Sequence, residues 1–195
     1  VRKGLTRKSI TDAAADFADE HGLNALTFSA LARHLGVAAP SLYAHLPGGI
    51  TELRAALCAR GHDDIAARCR AAATGRSGGD ALRALAIAQR AYAREHPGLY
   101  AATSFAVDGY DDPEVRRSAD AAAAVAADIL AATGITGPDR VHAARAVRSA
   151  VQGFCALEAA GVFLLDVPAD ESFAWLLDGL VAQALPSPRP ARGRT

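Results

Sequence analysis

The side chains of this chain that could do chemistry fall into two sets. Arg2, Lys3, Arg7 and Lys8 put four positive charges and no acid into the first eight residues. A local basic arm meets phosphate whatever the charge of the whole chain, or else merely solubilises a terminus. Further along, Ser41, Tyr43 and His45 offer hydrogen-bond donors to phosphate oxygens or base edges. The second set suggests metal or nucleophile chemistry and is weaker. Cys58, His62 and Cys69 share a helix face, but a spacing of eleven residues puts the two cysteines about 16 Å apart along the axis, too far to share an ion. Cys58 and His62 alone are too few ligands for a closed site. His62-Asp63 lacks the companion spacings of a metal phosphohydrolase. Gly75-Arg76-Ser77-Gly78-Gly79 has the esterase pattern, yet it follows an alanine-rich helix where a nucleophile elbow needs a strand. No catalytic residue, metal site or cofactor is expected.

Helices must position the first set. Thr6 to His21 carries Ile10, Ala13, Ala14, Phe17 and Ala18 on one face and ends at Gly22. Thr27 suits the N-cap of a short helix with Phe28, Leu31, Ala32 and Leu35, closed by Gly36. Pro40 then suits the first turn of a third helix through Leu42, Tyr43 and Leu46, before Pro47-Gly48-Gly49 breaks the chain. Leu31, Leu35 and Leu42 should form the small core between these two helices, and the tight connection around Gly36 has the sequence shape of a helix-turn-helix unit. Periodicity predicts further helices over 50–73, 80–95, 97–107, 113–133, 139–162 and 170–185. The Pro/Arg-rich stretch 186–195 is expected to be a disordered tail. About nine helices and no convincing strand make an all-α fold.

Composition agrees. A chain of 195 residues buries a sizeable core, as one domain or as a small one joined to a larger. Alanine, the strongest helix former, supplies 48 of them. No run of about 18 apolar residues exists, so no transmembrane helix is expected. The absence of a signal-peptide pattern and three scattered cysteines suggest the reducing cytoplasm. Arginine outnumbers lysine 19 to 2, which reads as coding bias of a GC-rich bacterial genome. The chain starts at Val1 and lacks methionine, from a non-standard start codon or from N-terminal residues missing from this numbering. Its 21 basic and 21 acidic residues sum to zero, which taken whole argues against nucleic acid. Divided by segment, the same charge points the other way: +4 at the head, +3 from Arg189, Arg192 and Arg194, and −7 between them.

The stretch Thr27 to Leu46, Thr-Phe-Ser-Ala-Leu-Ala-Arg-His-Leu-Gly-Val-Ala-Ala-Pro-Ser-Leu-Tyr-Ala-His-Leu, closely resembles the DNA-binding signature of TetR-family transcriptional regulators. Arg-Ala-Tyr-Ala-Arg-Glu-His-Pro-Gly-Leu-Tyr-Ala-Ala-Thr (90–103), His-Ala-Ala-Arg-Ala-Val-Arg-Ser-Ala from His142 and Gly-Phe-Cys-Ala-Leu-Glu-Ala-Ala-Gly (153–161) resemble the branch named for a Trp-His-Gly triplet. Val151-Gln152-Gly153 stands at that triplet and keeps only the glycine, and Gly48-Gly49 replaces the family's lysine after the recognition helix. The resemblance implies a helix-turn-helix DNA-binding domain over 1–49 and a helical effector-binding and dimerisation domain over 50–185. It implies a regulator of double-stranded DNA, and a repressor released from a palindromic operator by a small-molecule effector. An activator, or a metal- or redox-responsive regulator of the same fold, is the alternative. No membrane partner is implied.

The implied DNA contacts are Ala38, Ala39, Pro40 and Ser41 at base edges, the alanines by close approach to thymine methyls. Arg7, Lys8, Thr27, Tyr43 and His45 are the phosphate candidates; the alternative for Tyr43 and His45 is packing between helices. His34 reads as a surface or packing residue. For the homodimer, Ala143, Ala146, Ala150, Gly153, Leu157 and Gly161 form a small-residue stripe that lets helices approach closely. Phe173, Leu177, Leu180 and Ala184 form its apolar counterpart, and packing within one chain is the alternative. Ile65, Tyr92, Leu99, Tyr100, Phe105, Tyr110 and Phe154 are the effector-pocket candidates, with plain core as the alternative. The effector itself is left open.

Overall fold

The computed structural model describes residues 4–104 and 112–184. Among them are nine α-helices, one 3₁₀ turn and no strand. They are α1 (Arg7–His21), α2 (Phe28–Leu35), α3 (Ala39–Tyr43), α4 (Gly49–Ala73), α5 (Gly78–Glu95), α6 (Pro97–Ala102), α7 (Pro113–Ala131), α8 (Gly137–Ala159) and α9 (Ala169–Ala184), with the 3₁₀ turn at Leu23–Ala25. No helix among the described residues is long and apolar enough to cross a membrane. The chain divides into two compact units, one of residues up to Ile65 with Tyr92–Ala122, the other of Ala66–Ala91 with residues from Ala123 on.

In the first unit, α1 opens with a reciprocal capping box. The Thr6 hydroxyl accepts the Ser9 amide at 3.1 Å and the Ser9 hydroxyl accepts the Thr6 amide at 3.0 Å. Its inner face buries Ile10, Ala14, Ala15, Phe17 and Ala18. Leu26, Leu31, Leu42, Leu46, Leu53 and Leu57 are wholly buried. Leu35, expected in this core, is only half-buried. The third helix stops at Tyr43, short of Leu46, where the His45 amide reaches back only three residues to the Leu42 carbonyl and tightens the last turn.

Helix α6 is clamped onto α1 and α4. One oxygen of Asp19 accepts the amides of Gly98 at 2.8 Å and Leu99 at 3.0 Å, and the other lies 2.8 Å from His96 Nδ1. Asp19 thus caps a helix that has no side-chain cap of its own. A Cβ at Gly98 would strike the backbone of Ala18 and Asp19, and one at Gly61 would lie 2.9 Å from the Leu99 carbonyl oxygen. Only glycine admits these approaches. The sequence predicts this helix through Val107, but Thr103 caps it.

In the second unit, α8 buries Val147, Val151 and Cys155, and α9 buries Phe173, Leu177 and Leu180. Arg90 binds them together: its Nε and Nη2 reach the two oxygens of Glu158 at 2.9 and 2.5 Å, and Nη2 reaches Asp170 at 2.8 Å. Its guanidinium lies 5.1 Å from the Phe154 ring centre and 4.5 Å from that of Phe173. Cys69 donates to the Leu85 carbonyl, and burial pushes its thiol up to about 11.

Candidate nucleic-acid interface

The turn between α2 and α3 is built as its residue types require. Thr27 Oγ1 accepts the Ala30 amide at 3.1 Å, and Gly36 takes a left-handed conformation at φ 67° and ψ 34°. The Val37 amide then reaches back to the Ala32 carbonyl at 3.0 Å, closing the helix end. Pro40 in the first turn of α3 needs no amide partner. The buried Leu31 and Leu42 hold the two helices together.

This leaves Ala38 and Pro40 exposed and Ala39, Ser41 and His45 half-buried on the short α3 and its ends. Tyr43 is packed on one side and open on the other: its ring lies edge-on to Phe28 at 4.8 Å while 51% of the residue stays exposed. Thr27 is exposed, and its hydroxyl, having accepted one amide, still has a proton to donate. His34 packs edge-on against Phe17.

The basic arm is less free than its charge suggests. Arg2 and Lys3 lie outside the described residues, as do Arg189, Arg192 and Arg194. Lys8 Nζ sits 2.7 Å from Asp12 Oδ2, whose other oxygen lies 2.9 Å from Arg60 of α4. The bond from Lys8 holds the Asp12 carboxyl below its ordinary value. Arg7 lies 3.5 Å from Glu52 and 4.0 Å from Glu114. Arg60 lies 3.8 Å from Asp64, which accepts the Tyr92 hydroxyl at 3.3 Å. Summing charge by segment hides these acids. The i,i+4 spacing of Lys8 and Asp12 signals their pairing, whereas nothing local links Arg7 to Glu52.

Of the effector candidates, Ile65, Tyr92, Leu99 and Tyr100 are buried in the first unit, with Leu99 and Tyr100 on the clamped α6. Phe154 belongs to the second unit, among Arg90, Phe163 and Phe173. Phe105 and Tyr110 lie outside the described residues. Along the expected dimer stripe, Ala143, Ala150 and Gly153 are half-buried, while Ala146, Leu157 and Gly161 are exposed. On α9 the exposure differs from expectation. Phe173 and Leu177 are each 3% exposed and Leu180 is 9%, so they have almost no surface to give a partner. They fill their own unit's core, and the large apolar side chain that α9 exposes is Trp175. The helix span reaches Ala184, whose side chain lies outside the described part of the chain.

Known proteins share this sequence and architecture. The family described as bacterial regulatory proteins, tetR family, matches residues 10–57. The tetracyclin repressor-like C-terminal domain matches residues 82–180, in keeping with the expected branch. The chain is 38% identical over 178 residues to the uncharacterized HTH-type transcriptional regulator Rv0681 of Mycobacterium tuberculosis, covering 91% of this chain and 81% of that one. It is 34% identical over 163 residues to the uncharacterized HTH-type transcriptional regulator YobS of Bacillus subtilis, covering 83% of each. The TetR family protein ActR of Streptomyces coelicolor, in complex with actinorhodin, has the same fold, with a TM-score of 0.71 at 16% identity over 94% of this chain and 98% of that one. On these matches, and on the capped α2–turn–α3 unit at its head, the chain belongs to the TetR family of bacterial DNA-binding transcriptional regulators.

Proposed function

We propose that this regulator is a cytoplasmic repressor that binds a palindromic operator as a two-fold dimer and is released by a small-molecule effector. The observation that carries the DNA-binding site is the α2–α3 unit, with Ala38, Pro40 and Tyr43 exposed along α3 and its lead-in. Arg7 and Lys8 at the head of α1, together with Thr27, Tyr43 and His45, take phosphate. Ala38, Ala39, Pro40 and Ser41 read base edges. Residues 1–49 form the DNA-binding part and 50–185 the regulatory part.

The dimer is formed by α8 and α9. Supporting this, Leu157, Val162, Phe163, Leu164, Leu165, Val167 and Trp175 all stand exposed in this region, with Leu164 and Leu165 at 87% and 85%. Apolar side chains concentrated on one region of a water-soluble chain mark an interaction surface. The effector contacts are drawn from Ile65, Tyr92, Leu99 and Tyr100 of the first unit. A bound molecule in ActR supports an effector role for the matching region here.

Binding to the DNA upstream of the regulator's own gene tests the proposal. Affinity above that for random sequence at physiological salt is expected, and equal affinity overturns it. Arg7→Ala with Lys8→Ala should weaken binding to all sequences and reduce the salt slope by about 0.9 for each phosphate no longer neutralised. Ser41→Ala should instead change base preference.

A further inference from the structure

We infer that Asp12 and Glu52 are built-in counter-ions, which hold Lys8 and Arg7 when no DNA is bound and must be displaced before a phosphate can take their place. The inference rests on the reading of Arg7 and Lys8 as phosphate contacts.

The two cations are not placed for the sake of the helix. The first turn of α1 contains no acid, although a helix N-terminus favours negative charge. Lys8 precedes Asp12 by four residues, the less favourable order for an i,i+4 pair. Glu52 comes from α4, so its pairing with Arg7 is not a local helix effect at all. What the pairs share is a division of labour between carboxylate oxygens. Asp12 uses Oδ1 to take Arg60 Nη1 at 2.9 Å and Oδ2 to hold Lys8 at 2.7 Å. Glu52 uses Oε2 to accept the Gly48 amide at 2.9 Å and Oε1 to face Arg7 Nε at 3.5 Å. In each, the scaffold anchors one oxygen and the other faces the arm.

Anchored carboxylates of this kind stand where a phosphate would bind. When DNA arrives, each cation leaves its carboxylate, which then remains beside the phosphate and repels it. The sequence-independent part of DNA affinity is thereby set below what two exposed cations would give. Glu114, 4.0 Å from Arg7, adds to the same restraint. Base contacts on α3 are left to decide where the protein settles.

The test uses the full chain and a random-sequence DNA duplex, titrated over a series of salt concentrations. Asp12→Asn and Glu52→Gln keep an oxygen for Arg60 and for Gly48, so each variant keeps its anchor. Each should bind the duplex about 1.4- to 5-fold more tightly, the range for an exposed ion pair. The salt slope should steepen by up to about 0.9 for each cation released. Asp16→Asn, one turn further along α1, makes the same change in net charge and serves as control. An equal gain from Asp16→Asn, or no gain from either Asp12→Asn or Glu52→Gln, overturns the inference. If Lys8→Ala and Arg7→Ala weaken binding while the acid variants change nothing, only the counter-ions fail. If Lys8→Ala and Arg7→Ala change neither affinity nor slope, the assignment of the two cations to phosphate fails with them.

Discussion

Gly98 offers a perturbation whose sign separates two accounts of α6. A Cβ at this position would lie 2.6 Å from the Asp19 amide nitrogen, and closer still to the Ala18 carbonyl carbon and oxygen. Non-bonded carbons rest at about 3.5–4.0 Å, so Gly98→Ala must move α6 off α1 by roughly 1 Å. All three obstacles are backbone, and none can rotate aside. The shift also stretches the 2.8 and 3.0 Å bonds from the Gly98 and Leu99 amides to Asp19 beyond useful length. Overpacking costs about 1–3 kcal/mol, and hydrogen bonds to a charged group contribute about 1.5–3 kcal/mol each. Opposing this, alanine is the better helix former by about 1 kcal/mol. Sterics and broken hydrogen bonds win, for a net destabilisation of about 3–8 kcal/mol. Urea unfolding at one fixed protein concentration measures it, since self-association would make stability depend on concentration. Amide exchange at Gly98 and Leu99 should accelerate along with the loss of stability. A Gly98→Ala protein as stable as the parent, or more stable, would mean that helix propensity dominates and that Asp19 and Gly98 do not clamp α6.

Further outcomes follow from the second unit. Arg90→Ala, which removes one partner of a pair with side chains 8% and 17% exposed, should cost about 3–5 kcal/mol in urea unfolding. Arg83→Ala, at the more open pair with Asp178, should cost no more than about 1 kcal/mol, and equal losses would show that burial does not decide between them. Cys69 should resist iodoacetamide at pH 8 in the folded protein and react in urea. Because its folded value of about 11 exceeds the ordinary 9.0, its contribution to stability is complete below pH 9 and fades as pH rises through 11. Rapid labelling of folded protein at pH 8 would refute its burial. Leu157→Arg with Leu164→Arg should shift the sedimenting species from dimer to folded monomer. Phe173→Ala should instead unfold the chain, losing about 3–5 kcal/mol, and a folded monomer from that variant would restore Phe173 to the interface.

Local rules make most of the fold legible. Thr27, Gly36 and Pro40 announce the α2–turn–α3 unit because caps and left-handed turns depend on neighbouring residues alone. Helix ends are less secure, as at Thr103, whose backbone amide turns back to the Tyr100 and Ala101 carbonyls and ends α6. The spacing of Phe173, Leu177 and Leu180 marks an apolar face, but periodicity does not say whether that face meets its own chain or another. Trp175 shares none of that spacing, so its exposure has no signature in the pattern. The acids facing the arm are hidden by distance in sequence: Glu52 and Glu114 meet Arg7 only after folding. Asp19 gives no signal either, since its task is to satisfy the amides of a helix far along the chain.

Trp175 is the chain's one tryptophan, and 79% of it is exposed. Indole fluorescence shifts to shorter wavelength when water leaves the ring, and no second indole here blurs the signal. The protein therefore carries its own optical label on the surface assigned to its partner. A dilution series read by emission colour would report subunit dissociation directly, with no dye attached and no residue changed.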